Sequence, residues 1–147
     1  MLRTFAGIVT ILLTVGVYGS TDYQPTTFIK GTKLIGSLHQ NNEVEMFLGI
    51  PFAVPPVNDL RWEKPIAWTP ENKKEITANK FRAACIQNQR IVNWYKRLIL
   101  DFGSDPRTFD IPEFSEDCLY LNLWRPRELK NNLPVIVYIH GGSNKAG

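Results

Sequence analysis

The sequence predicts an α/β fold class, with antiparallel edge strands leading into a mostly parallel central sheet. Three observations predict it. "FIKGTKLIGSLHQ" and "EVEMFLGIPFA" are apolar segments broken at turn residues. "QNQRIVNWYKRLILDF" repeats its apolar side chains at helical spacing. The last apolar run, "VIVYI", is apolar on both faces, as an inner strand covered on two sides should be.

The N-terminal residues are expected to stand apart from that fold. Arg3 supplies a short positive region, Phe5 to Val17 is apolar apart from two threonines, and Val17-Tyr18-Gly19 offers small residues for cleavage. Residues 1–19 read as a secretory signal peptide. A membrane anchor is the alternative, but the run is shorter than the roughly 18 residues a span needs. No other stretch is apolar enough to span a bilayer.

Gly31, Gly36 and Asn41-Asn42 interrupt the first strands, and Asn41-Asn42 occupies a hairpin-turn position. An antiparallel meander at the edge of a larger sheet is expected, with His39 exposed in it. Pro51, Pro55, Pro56 and Pro65 then forbid a central strand. The segment is expected to form a fixed surface loop pinned by Phe52 and Trp62.

In the helix, Ile91, Trp94, Tyr95, Leu98 and Phe102 form one stripe, opposite Arg90, Asn93 and Arg97. Such a stripe could face a ligand, but the more general expectation is core. "CLYLNLW" alternates Leu119, Leu121 and Leu123 against Tyr120, Asn122 and Trp124, which predicts a half-buried strand. An inner strand at 135–139 needs neighbours on both sides, so the sequence reads as a piece of a larger domain.

Bulk properties exclude one class of function. The chain has 147 residues, 44% hydrophobic and 21% charged, which is ordinary for one globular domain. Its 17 basic and 14 acidic residues leave a net charge of +3, and they are scattered. That field is too weak to argue for nucleic acid. Secretion makes the two cysteines, Cys85 and Cys118, read as one disulfide, with two free buried thiols as the alternative. A bridge closing a loop of about 34 residues would contribute roughly 3.5–4 kcal/mol. No metal or cofactor is expected, since neither histidine lies near either cysteine.

Four blocks, taken in order, resemble the N-terminal part of type-B carboxylesterases, the cholinesterase-like branch of the α/β-hydrolase fold. "FLGIPFAVPPVNDLRW" is similar to the family's F-x-G-I-P-F/Y-A-x-P-P-x-x-x-L-R-F/W. "CIQ" resembles its first loop cysteine, and "SEDCLYLNLW" matches its second signature almost letter for letter. "PVIVYIHGGSNKAG" resembles the strand and turn usually written H-G-G-G-F-x-x-G. The resemblance covers nearly all of residues 20–147 but only the first part of the family's domain. It implies a Cys85–Cys118 disulfide and an ion pair between Arg61 and Glu116. It also implies that Gly142 and Ser143 donate backbone N–H groups to the oxyanion of ester hydrolysis, with His140 and Gly141 supporting the turn. The partner it implies is a small-molecule ester.

The resemblance has departures. Ser143 and Asn144 stand where glycine and an aromatic are usual, while Gly147 matches the last glycine. A Cβ at Ser143 narrows the accessible backbone angles and could reshape the hole. "GGSNK" begins like G-x-S-x-G, but Lys145 replaces the final glycine and no histidine follows. Ser143 is therefore not read as a nucleophile, and no catalytic residue is assigned within the chain. Nucleophile, acid and base are expected beyond Gly147. The region before Cys118 lacks the tryptophan with which cholinesterases bind choline, Phe109 and Phe114 being its nearest aromatics. A general or lipid-type carboxylesterase is the expectation. The alternative is a non-catalytic, cholinesterase-like adhesion protein.

Overall fold

The turn residues act as the sequence predicts. The computed structural model describes residues 23–70, 74–108, 110–128 and 131–142. The signal segment expected at 1–19, Phe109 and the Ser143–Gly147 part of the last motif lie outside them. Strands β1 (Thr26–Ile29) and β2 (Thr32–Ile35) form a two-residue hairpin across Lys30–Gly31. Strands β3 (Ser37–Leu38) and β4 (Val44–Pro51) form a second, whose turn is closed by the His39 N–H donating to the Val44 carbonyl at 2.8 Å. Asn42 takes the positive φ of 58° that this turn needs, a conformation asparagine tolerates.

The hairpins join different sheets. β2 pairs in parallel with β5 (Glu75–Thr77), giving the order β1-β2-β5. β4 pairs antiparallel with β8 (Tyr120–Pro126), giving β3-β4-β8. A short parallel pair, β6 (Ala84–Cys85) with β7 (Phe114–Ser115), forms the third sheet. Helix α1 runs from Gln89 to Asp101, inside the stretch its periodicity marked. Asn88 starts it as N-cap, its side chain accepting from the Arg90 N–H at 2.9 Å.

Leu34, Phe47, Ile50 and Ala78 make the buried cluster, with Ile29 and Ile76 packed against it. The core thus sits where β2 and β5 meet β4. Main-chain bonds stitch the same place: the Leu48 N–H donates to the Ala78 carbonyl at 2.9 Å, and the Ala78 N–H to that of Ile35 at 2.7 Å.

Four expectations need correction. Residues 135–139 join no strand ladder among the described residues, and their side chains are 80% to 91% exposed. A strand exists only through a neighbour's N–H and C=O groups, and an apolar run does not supply them. β8 forms as predicted but is not half-buried: Leu121, Leu123 and Trp124 are all exposed. It is the edge of its sheet, with β4 as its one neighbour in the order β3-β4-β8. The stripe on α1 is not core, since Trp94, Tyr95 and Phe102 are exposed and only Val92 is fully buried. Nor do Phe52 and Trp62 pin the proline segment, Trp62 being 92% exposed. Main-chain bonds hold it instead, from the Val54 N–H to the Ile66 carbonyl at 2.8 Å and from the Trp68 N–H to that of Phe52 at 3.1 Å.

Candidate active site

The first and third sequence blocks are neighbours in space. β4 carries "FLGIP" and β8 carries "YLNLW", and Phe47 lies opposite Leu123. The register shifts between Phe47 and Ile50, a bulge centred on Gly49. Gly49 has φ of +75°, and its N–H donates to the Asn122 side-chain oxygen at 2.8 Å. The asparagine of "LYLN" thus caps an amide that the bulge removes from the ladder.

Cross-links then fix the loop that carries α1. Cys85 and Cys118 form a disulfide with Cα atoms 5.0 Å apart. The Ala84 N–H donates to the Glu113 carbonyl at 2.8 Å beside it. Arg61 pairs with Glu116 at 2.5 Å, tying the proline segment to the second signature. Arg61 is exposed and Glu116 partly so, and the pair contributes registration more than stability. The Tyr120 hydroxyl donates to Asp117 at 2.8 Å. Burial first, and that bond second, push its pKa above the usual tyrosine range. Tyr120 is therefore a neutral donor at physiological pH.

The turn at Tyr138–Gly142 forms one side of a cleft of about 500 Å³. His140 Nδ1 lies 2.9 Å from the Gly141 carbonyl. A carbonyl only accepts, so Nδ1 carries the proton in this contact and Nε2 is left for another partner. Gly142 lines the cleft with φ of +122°, a backbone state that essentially only glycine adopts. Ile91, Val92 and Tyr95 of α1, with Phe114, form the facing wall.

Of the residues expected in the site, His140, Gly141 and Gly142 therefore come together at this cleft. Cys85 pairs with Cys118 and Arg61 with Glu116, outside the lining of the cleft, while Ser143 lies outside the described residues. The apolar wall is what sequence reasoning assigned to the core. Its signal was present, because Ile91 and Tyr95 belong to the stripe, but periodicity does not say what a face meets. Among the described residues, no helix is long and apolar enough to cross a membrane.

Residues 23–147 match the carboxylesterase family. Lipase 1 of Geotrichum candidum is 36% identical over 142 residues, covering 86% of this chain and 24% of that protein. Carboxylesterase 5A of Mus musculus is 40% identical over 109 residues, covering 71% of this chain and 17% of that protein. Among solved structures, a thermophilic PNB esterase superposes with a TM-score of 0.65 at 29% identity, over 83% of this chain and 22% of that one. The chain thus spans 17% to 24% of the length of these three proteins. These likenesses show the α/β-hydrolase fold.

Proposed function

Because the chain belongs to the carboxylesterase family, we propose that it carries the oxyanion-hole turn of a secreted serine carboxylic-ester hydrolase. The observation that carries this reading is the turn ending at Gly142, set into an apolar cleft that can hold an ester. Attack on an ester carbonyl places negative charge on its oxygen. Main-chain N–H groups held in position stabilise that charge without reorganising. Gly142 and Ser143 are the proposed donors in this chain, and His140 and Gly141 hold the turn. A third donor would follow the nucleophile.

The nucleophilic serine, its histidine base and the acid are proposed to lie in sequence after Gly147. Residues 20–147 alone should then hydrolyse no ester. Loss of nucleophile and base from a serine hydrolase lowers kcat by about 10⁶. The test pairs this chain with the product of the complete reading frame. The complete protein should turn over p-nitrophenyl butyrate and take one fluorophosphonate on a serine, while residues 20–147 do neither. A complete protein that does neither would defeat the reading.

Secretion is part of the same proposal. The Cys85–Cys118 disulfide supports an oxidising compartment. Mass spectrometry of protein expressed in secretory cells should find a mature N-terminus at Ser20. A retained Met1 in the medium, or reduced protein confined to the cytosol, would overturn it.

A further inference from the structure

We infer that the Cys85–Cys118 disulfide is a redox catch: its reduction by a dithiol frees the segment 86–117, which carries α1, and opens the proposed site while the sheets stay folded. The link to activity rests on the esterase reading above.

Access comes first. Thiol–disulfide exchange needs a thiolate to reach one of the two sulfurs. Cys85 is exposed and Cys118 half-buried, so Cys85 is the end that an outside thiolate meets. Attack there breaks the S–S bond, forms a mixed disulfide on Cys85 and releases Cys118 as a thiolate. The second thiol of the dithiol then attacks the mixed disulfide and releases Cys85. The dithiol gives up two electrons and two protons and ends as a disulfide, and the protein ends with two thiols.

Location decides what the break does. The buried cluster of Leu34, Phe47, Ile50 and Ala78 lies wholly outside 86–117. So do both three-stranded sheets. On α1 only Val92 is fully buried. A segment with so little buried packing opens at a lower free energy than the core around it. Yet α1 contributes Ile91, Val92 and Tyr95 to the cleft that Gly142 also lines. Release of the segment therefore removes one side of that cleft.

The surroundings also make the break reversible. Cys85 lies opposite Ser115 in the β6–β7 pair, and Arg61 holds Glu116. Neither tie depends on the S–S bond. Together they keep the two thiols near one another, so that oxidation returns the same pair.

The experiment titrates the complete oxidised protein with dithiothreitol at about pH 8, near the ordinary thiol pKa, and then removes the reductant. Alkylation of Cys85 and Cys118 in quenched aliquots, located by mass spectrometry, reports the opened bond. Hydrolysis of p-nitrophenyl butyrate should fall roughly tenfold or more in step with that alkylation and return on oxidation. Trypsin should then cut after Arg97, in α1, while Lys33, in β2, stays protected. Alkylation of both cysteines with hydrolysis unchanged would overturn the catch. So would cutting at Lys33 in the same step, because the whole protein would then be unfolding. Cys85→Ser/Cys118→Ser should be as slow as the reduced protein and indifferent to dithiothreitol. A double variant that still loses activity in dithiothreitol assigns the response to another bond and overturns the catch as well. A complete protein that hydrolyses nothing before reduction overturns the esterase reading alone, and alkylation with trypsin still decides whether 86–117 is released.

Discussion

Gly49→Ala should lower the stability of the protein by about 3 kcal/mol and sharply reduce its yield. Two terms add. Position 49 holds φ of +75°, where a side chain costs about 1–2 kcal/mol. A Cβ there would also sit 2.6 Å from Arg82 Cγ and 2.9 Å from the Lys80 carbonyl oxygen. Arg82 can swing aside, losing its place over the Tyr120 ring at 5.8 Å. The Lys80 carbonyl belongs to the main chain just after Asn79, which bridges Leu48, so it yields less easily. Any shift of the bulge also loosens the Gly49 N–H bond to Asn122. Gly103 is the control. It has the same φ of +75° but open space around its missing Cβ, so Gly103→Ala should cost only about 1 kcal/mol. Urea midpoints measure both. Equal losses would remove the steric term, and no loss at Gly49 would contradict the bulge.

That contrast shows where sequence reading reached and where it stopped. Features that one short segment determines were legible: the Asn41-Asn42 turn, the helix α1 and a strand in "CLYLNLW", which begins and ends two residues later than that stretch. Cys85–Cys118 followed from the cysteine count and the resemblance alike, Arg61–Glu116 from the resemblance alone, and both pairs form. Contacts between distant segments carried no local mark. Nothing in "FLGIP" names Asn122 as the cap of Gly49, because that partner arrives through sheet register. The stripe on α1 and the apolar run at 135–139 failed for a related reason. Periodicity reports which side chains share a face, and burial depends on a second element that the pattern does not describe. Glu45 is the converse case. A glutamate in an alternating strand reads as solvent-facing, yet its side chain is 1% exposed.

Glu45→Ala should in turn cost about 3 kcal/mol, near the low end for breaking a buried ion pair. Glu45 lies opposite Arg125 in the β4–β8 register, and Arg125 Nε donates to its carboxylate at 2.6 Å. Arg125 also donates to the Thr26 carbonyl at 3.0 Å and lies 5.0 Å from the centre of the Phe47 ring. The Tyr23 hydroxyl donates to the other Glu45 oxygen, and Arg127 lies over the Tyr23 ring at 4.4 Å. Arg125, held by this carboxylate, thus joins β1 to the second sheet, and loss of Glu45 leaves Arg125 partly buried without a counter-charge. Removing both charges avoids that cost, so Glu45→Leu with Arg125→Leu should recover at least half of the loss. A double variant as unstable as Glu45→Ala would mean that packing, not the unpaired charge, dominates. Alkaline pH gives a second readout. The hydrogen bond to Glu45, more than burial or the carboxylate's charge, raises the Tyr23 pKa above its usual value near 10. A raised folded-state pKa gives stability that is complete below pH 10 and lost as pH climbs through the folded value. Unfolding midpoints should therefore fall above pH 10, and Tyr23→Phe should flatten that fall. An identical alkaline slope in Tyr23→Phe would remove the phenol from the network.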